Sequence, residues 1–263
     1  MDIYSIIGII AGTGLILIGQ ALEGGHASSL VSPGGAFIVA GGTFGAIMLQ
    51  TGPKDFKTTL KSIKLVFGKA QKQDPAVILK LITDMARTAR RDGLLALDAM
   101  VSEIDNDFMK MAVEHMVDGV DASLLREILE AQISKEEADN MMGAKTWEGA
   151  GGFSPTIGII GAVLGLIHTM ENLSDPSKIG GGIAVAFVAT VYGVGLSNLV
   201  FLPMAGKLKR KVQLQSELDE MIMEGILAVQ AGHNAHVIEA RLKMYCDGKV
   251  IGEGAQEGAA AGS

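Results

Sequence analysis

No aspartate or glutamate lies inside any of the four long hydrophobic runs of this chain. The runs cover residues 3–22, 30–49, 153–170 and 179–205. At ~1.5 Å per helical residue, each is long enough to cross a ~30 Å hydrocarbon core. Apart from tyrosine, their one ionisable side chain is His168, near an end of the third run. An ion-coupled membrane protein normally keeps a carboxylate at depth, where function offsets its desolvation. This chain therefore either conducts nothing or lines a path whose titrating group belongs to another subunit. Cysteine is also scarce. Cys246 alone excludes an internal disulfide and a paired-cysteine metal site, and fits a reducing cytoplasm. The first run lacks the basic lead and the short apolar stretch of a secretory signal, so it is expected to stay as a helix. A phosphate-binding glycine loop, an HExxH pair and a nucleophile elbow are all missing. His233 and His236 have metal-compatible spacing but no third ligand nearby in sequence. No catalytic residue, cofactor, metal or nucleic-acid partner is expected.

What is present is a membrane protein with a substantial polar part. Mean hydropathy is +0.35 with 48% hydrophobic residues, yet 19% of residues are charged. Those charges are segregated. Residues 51–150 hold 14 of the 22 Lys and Arg, residues 206–263 hold 7, and Lys178 is alone between the third and fourth runs. Loop residues 23–29 have none. Because positive residues stay cytoplasmic, both termini and the long middle segment are expected inside, in a membrane protein that crosses several times.

The middle segment reads as a helical domain. Asp74 and Pro75 form an N-cap and first-turn proline. Val77, Ile78, Leu81, Ile82, Met85, Ala86 and Ala89 then recur at helical spacing, and Gly93 ends or kinks the helix. A second start at Asp121 precedes Leu124, Leu125, Ile128, Leu129 and Ile133, and residues 135–147 lead as helix into the third run. The tail from 207 to 245 is again helical, and residues 252–263 are expected to be disordered. The expected fold is all-α: a polytopic membrane protein with four transmembrane helices and a cytoplasmic helical domain. Its segments are 1–50 (first two spans), 51–150 (cytoplasmic domain), 151–205 (last two spans) and 206–263 (cytoplasmic tail).

The spans are patterned for association. Gly8/Gly12, Gly41/Gly45 and Gly161/Gly165 are small-xxx-small pairs that permit close backbone approach in lipid. Pro155, Thr156, Thr169, Thr190, Tyr192, Ser197 and Asn198 concentrate polar character in the last two spans. Taken together they point to a polar path between those helices.

FSPTIGIIGAVLGLI at 153–167, GIAVAFVATVYG at 182–193 and FLPMA at 201–205 resemble the last two spans of the MotA family of flagellar stator subunits, which is related to ExbB and TolQ. ARRDGLLALD at 89–98 is similar to that family's rotor-facing segment. The likeness runs from about residue 3 to 242. It implies a pentameric ring around a dimer of a MotB-type subunit, whose transmembrane Asp binds the ion and whose periplasmic domain grips peptidoglycan. Ion transfer at that Asp would turn the ring against the rotor protein FliG. By position, Pro155 and Pro203 match the prolines that couple ion flow to torque. Thr190 matches the hydroxyl facing the partner Asp, and Tyr192 joins it in the polar path. Arg90 and Asp98 match the rotor-contacting pair, although the family more often has Glu at the second position. Sodium-driven relatives carry Thr where this chain has Ala162, and tend to have Asp where it has Ser32-Pro33. Protons are therefore the expected coupling ion. An ExbB/TolQ-like energiser of outer-membrane processes and a non-conducting scaffold are the alternatives.

Overall fold

The computed structural model describes residues 3–68 and 74–246; the glycine-rich end at 252–263 lies outside the described residues. Every regular element among them is helical. Four helices are long and apolar enough to cross a membrane, covering Ile3–Leu22, Ala27–Gln50, Ala122–Glu171 and Ile179–Gln230. The chain divides into two compact units, Met1–Ala70 with Asp139–Arg210, and Gln71–Ala138 with Lys211–Ser263.

The first unit opens with α1 (Ile3–Leu22) and a short tight turn at Ala27–Leu30. Helix α2 (Pro33–Gln50) starts where Ser32 Oγ accepts a hydrogen bond from Gly35 N at 3.2 Å, with Pro33 preset for the first turn. Helix α3 (Pro53–Phe67), which the apolar patterning alone does not announce, buries Thr59, Ser62 and Val66 and leaves Lys57, Lys61 and Lys64 outside.

In the second unit, α4 (Pro75–Asp92) is capped by Asp74, whose Oδ1 accepts from Ala76 N at 3.0 Å. It stops at Gly93, whose φ of +85° suits only a residue without Cβ. A tight turn at Leu94–Leu97, α5 (Asp98–Val101) and α6 (Asp107–Val117) follow. Helix α7 (Ala122–Glu171) then runs for 50 residues without a break, through the polar stretch at 135–147. From Asp139 the chain belongs to the first unit again, where α8 (Pro176–Leu196) continues through a π-turn at Ser197–Phe201 into α9 (Leu202–Gln230), and from Lys211 α9 belongs to the second unit. A turn, α10 (Ala235–Leu242) and a short tight turn at Lys243–Tyr245 follow.

Met85 of α4, Met109 of α6, Leu129 of α7, Ile226 of α9 and Ile238 of α10 meet in the core of the second unit. Two helix faces are rotated from the sequence expectation. Val77 is 62% exposed and Leu124 is 50% exposed, while Leu79 and Leu125 are buried. Each core-facing stripe is centred about one residue later than the apolar run suggests, because the named apolar residues at ~100° per residue spread over half the helix circumference and only part of that arc meets the core.

Candidate functional site

Helices α7 and α8 cross with almost no side chain between them. A Cβ built on Gly193 would lie 2.6 Å from Ser154 O and 2.9 Å from Gly158 Cα. On Gly165 it would meet Ala186 N and Gly182 O, both at 2.8 Å. Of the three glycine pairs read from the sequence, Gly161/Gly165 lies at this crossing. A Cβ at Gly8, Gly41 or Gly45 would meet nothing within 4 Å, and one at Gly12 would meet only Leu199.

Pro155 lies inside α7 and has no N–H to offer the carbonyl four residues earlier. That carbonyl, on buried Gly151, instead accepts from Ser197 Oγ at 2.6 Å across the crossing. One turn further on, Ser154 Oγ donates to Gly193 O at 2.9 Å. The two serines therefore fasten α7 and α8 to each other around the proline. The sequence singled out Ser197 only as one polar group among several and missed Ser154. Pro203 has a different accommodation. It follows the π-turn, in which Leu202 N reaches back to Ser197 O, so the wider ladder precedes the residue that cannot donate.

The other polar side chains expected on a path are occupied locally. Thr190 Oγ1 donates to Ala186 O at 3.2 Å, Thr156 Oγ1 to Phe153 O at 2.8 Å and Asn198 Nδ2 to Val194 O at 3.0 Å. All three are four or fewer residues from their acceptors, the usual back-bonding within a helix. Tyr192 reaches further. Its hydroxyl donates to Leu30 O at 2.5 Å and accepts from Ser32 N at 3.1 Å, pinning the start of α2. Ala162 and Thr190 are half-buried, and Ile159, Ile160 and Val163 beside Ala162 are bare on α7. Within one chain the α7–α8 crossing is closed by backbone contact. Any route for an ion runs along the uncovered faces of these helices and must be closed by something else.

Arg90, in the last turn of α4, and Asp98, at the start of α5, are both exposed. Among the described residues neither forms an ion pair, whereas neighbouring Arg91 binds Asp92 at 2.7 Å. That pairing raises the Arg91 guanidinium and lowers the Asp92 carboxyl from their usual ranges, chiefly through the hydrogen bond. Among the described residues there is no group of three or more His, Cys, Asp and Glu side chains able to hold a metal ion.

One buried carboxylate lies in the second unit. Asp219 of α9 is 3% exposed, and its Oδ1 accepts from Gln215 Nε2 at 3.0 Å. Burial pushes this carboxyl up to about 7, the Gln215 bond opposes the rise and Glu136 adds to it. The folded chain thus holds this proton more tightly than the unfolded chain. Stability is expected to fall as pH rises from about 4 to about 7, by roughly 4 kcal/mol from this group, and to level off above. Asp219→Asn should raise the thermal midpoint clearly at pH 8 and little at pH 5; an equal offset at both would refute the assignment.

Residues 100–221 match the MotA/TolQ/ExbB proton channel family, and residues 6–93 match the motility protein A N-terminal family. The chain is 33% identical to motility protein A of Bacillus subtilis, over 95% of this chain and 92% of that one. The chain belongs to the motility protein A family. It is also 34% identical to chemotaxis protein PomA of Vibrio alginolyticus, over 93% of this chain and 95% of the relative. The flagellar MotAB stator complex of Bacillus subtilis superposes with a TM-score of 0.85 at 31% identity, covering 98% of each chain. In this motility protein A family member, the glycine-welded α7–α8 pair and the uncovered faces beside it form the candidate ion-transfer site.

Proposed function

We infer that this chain is a stator subunit of the flagellar motor, which works with a MotB-type subunit to convert proton flow into torque. The observation that carries the reading is the pairing of carboxylate-free spans with an α7–α8 crossing closed by backbone contact. A subunit built this way lines a path but has no group to carry the ion. The missing carboxylate comes from the partner's transmembrane Asp. Copies of this chain surround that helix as a ring, pentameric by family resemblance, in the inner membrane with both termini cytoplasmic. The match to the motility protein A N-terminal family at residues 6–93 and the four apolar helices favour this assignment over an ExbB/TolQ-like energiser.

Pro155, Ala162 and Thr190 border the path, Tyr192 holds the start of α2 beside it, and Pro155 and Pro203 transmit its cycle to the helices. Ala162 offers a methyl group where sodium would need an oxygen ligand, which supports a proton as the coupling ion. The test is ion flux in vesicles. The chain alone should pass no measurable current, whereas co-expression with the Asp-bearing partner should pass a current that a protonophore collapses. Replacing external sodium by potassium at fixed pH should leave swimming speed unchanged; a steep sodium dependence would sink the proton assignment.

The bare charges at Arg90 and Asp98 are the contact with FliG. Steering between complementary charges tolerates neutral losses better than sign reversal. Arg90→Glu and Asp98→Lys should each slow swimming severalfold at unchanged membrane levels, and an opposite reversal on the rotor protein should restore it. Normal swimming in both variants would remove these residues from the rotor interface.

A further inference from the structure

Away from the α7–α8 crossing, the first unit carries a groove between α1, the end of α3 and the start of α9, with Asn198 and the coupling residue Pro203 also in its wall. It measures about 280 Å³ and is walled by Gly8, Ile9, Val66, Leu199 and Met204, with Ser5 and Lys207 at one end. Ser5 stands in the first turn of α1, and Lys207 lies two residues past the fourth apolar run. In the orientation proposed above, on which this inference rests, the polar end of the groove opens at the cytoplasmic end of both spans. Lys207 Nζ donates to Ser5 Oγ there. We propose that this groove binds one acyl chain of an anionic phospholipid from the cytoplasmic leaflet, with the phosphate on Lys207 and Ser5 and the lysine stripe of α3 against the surrounding headgroups.

The chemistry of α3 supports this occupant. Lys57, Lys61 and Lys64 recur at i, i+4 and i+7 on its exposed side. Among the described residues none of the three forms an ion pair, and residues 56–67 contain no acid. Leu60 and Leu65 interleave with them at 51% and 50% exposure, an arrangement poorly suited to open water. A helix that alternates basic and large apolar side chains directly after a span suits the interface with anionic lipid. A second copy of this chain would bring further cations to the same face, and free phosphate would leave the apolar length of the groove empty. A diacyl lipid with a negative headgroup satisfies both ends.

The test uses the full-length chain in nanodiscs of equimolar dioleoyl phosphatidylglycerol and dioleoyl phosphatidylcholine, released for native mass spectrometry. Phosphatidylglycerol should be retained in preference to phosphatidylcholine. Gly8→Leu should lose the retained lipid, because its Cβ meets nothing within 4 Å and the rest of the side chain enters the groove. The triple variant Lys57→Gln, Lys61→Gln, Lys64→Gln should keep a lipid but lose headgroup preference, by about fivefold per lysine, the equivalent of ~1 kcal/mol each. Lys207→Gln provides a second reading of the headgroup end should Gly8→Leu fail to fold. Equal retention of the two lipids would overturn the proposal, as would full retention by Gly8→Leu. So would stabilisation of the detergent-purified chain by glycerol 3-phosphate alone to the same extent as by phosphatidylglycerol. Disulfide-linked dimers of a Gly8→Cys, Cys246→Ser chain would put a second copy in the groove instead and likewise overturn it.

Discussion

Gly193→Val is expected to remove the protein from the membrane and abolish swimming. The new Cβ would stand 2.6 Å from Ser154 O and 2.9 Å from Gly158 Cα, both backbone atoms of the facing helix. No rotamer change relieves a clash with backbone, so α7 and α8 must separate. That separation would also break the Ser154–Gly193 and Ser197–Gly151 hydrogen bonds, which exist only at this spacing. Overpacking alone costs about 1–3 kcal/mol, and the two opened buried hydrogen bonds add roughly 1–3 kcal/mol each. Gly19→Ala is the control, since a Cβ there meets nothing within 4 Å. Immunoblots of membranes should show near-normal Gly19→Ala and little Gly193→Val. Normal levels of both would mean that the crossing is wider than described.

The second large effect is a coupling between two residues 42 positions apart. Pro155 leaves the Gly151 carbonyl without its helical donor, and Ser197 supplies the replacement. Ser197→Ala should therefore strand a buried carbonyl and lower stability by about 1–3 kcal/mol. Pro155→Ala restores an N–H four residues after Gly151. In that background Ser197→Ala should cost markedly less, with a coupling energy of at least ~0.5 kcal/mol in a double-mutant cycle of thermal midpoints. Motility should separate the roles. Pro155→Ala should impair swimming at normal membrane levels, because a straightened helix presents the path differently, and the double variant should remain impaired. Additive losses of stability would mean that the serine and the proline act independently.

Much of the architecture was legible because its signals are local. Spans announce themselves by length and absence of charge, and four such helices are found. Asp74 and Pro75 begin α4 and Gly93 ends it, where residues within a turn of each other decide the outcome. The continuity of α7 through its polar stretch could also be anticipated, since nothing there breaks a helix before Pro155. Pro155 stood out by residue type, whereas Pro203, Arg90 and Asp98 were marked only by the family motifs around them, and their roles are proposals. The deviations at Val77 and Leu124 show the limit of periodicity alone: it identified a helix but missed its facing by about one residue.

Composition and pattern by themselves determined that the chain is helical, crosses the membrane and brings no carboxylate into it, because hydropathy and capping act over a few neighbouring residues. Only the tertiary structure decided which glycines form the crossing, that Ser197 completes the backbone beside Pro155, and that Tyr192 clasps the start of α2 rather than leaving its hydroxyl open. Those contacts join residues 46 and 162 positions apart. They depend on how helices cross in three dimensions, and a hydroxyl on a span carries no local mark of whether it will bond to its own turn or to another helix.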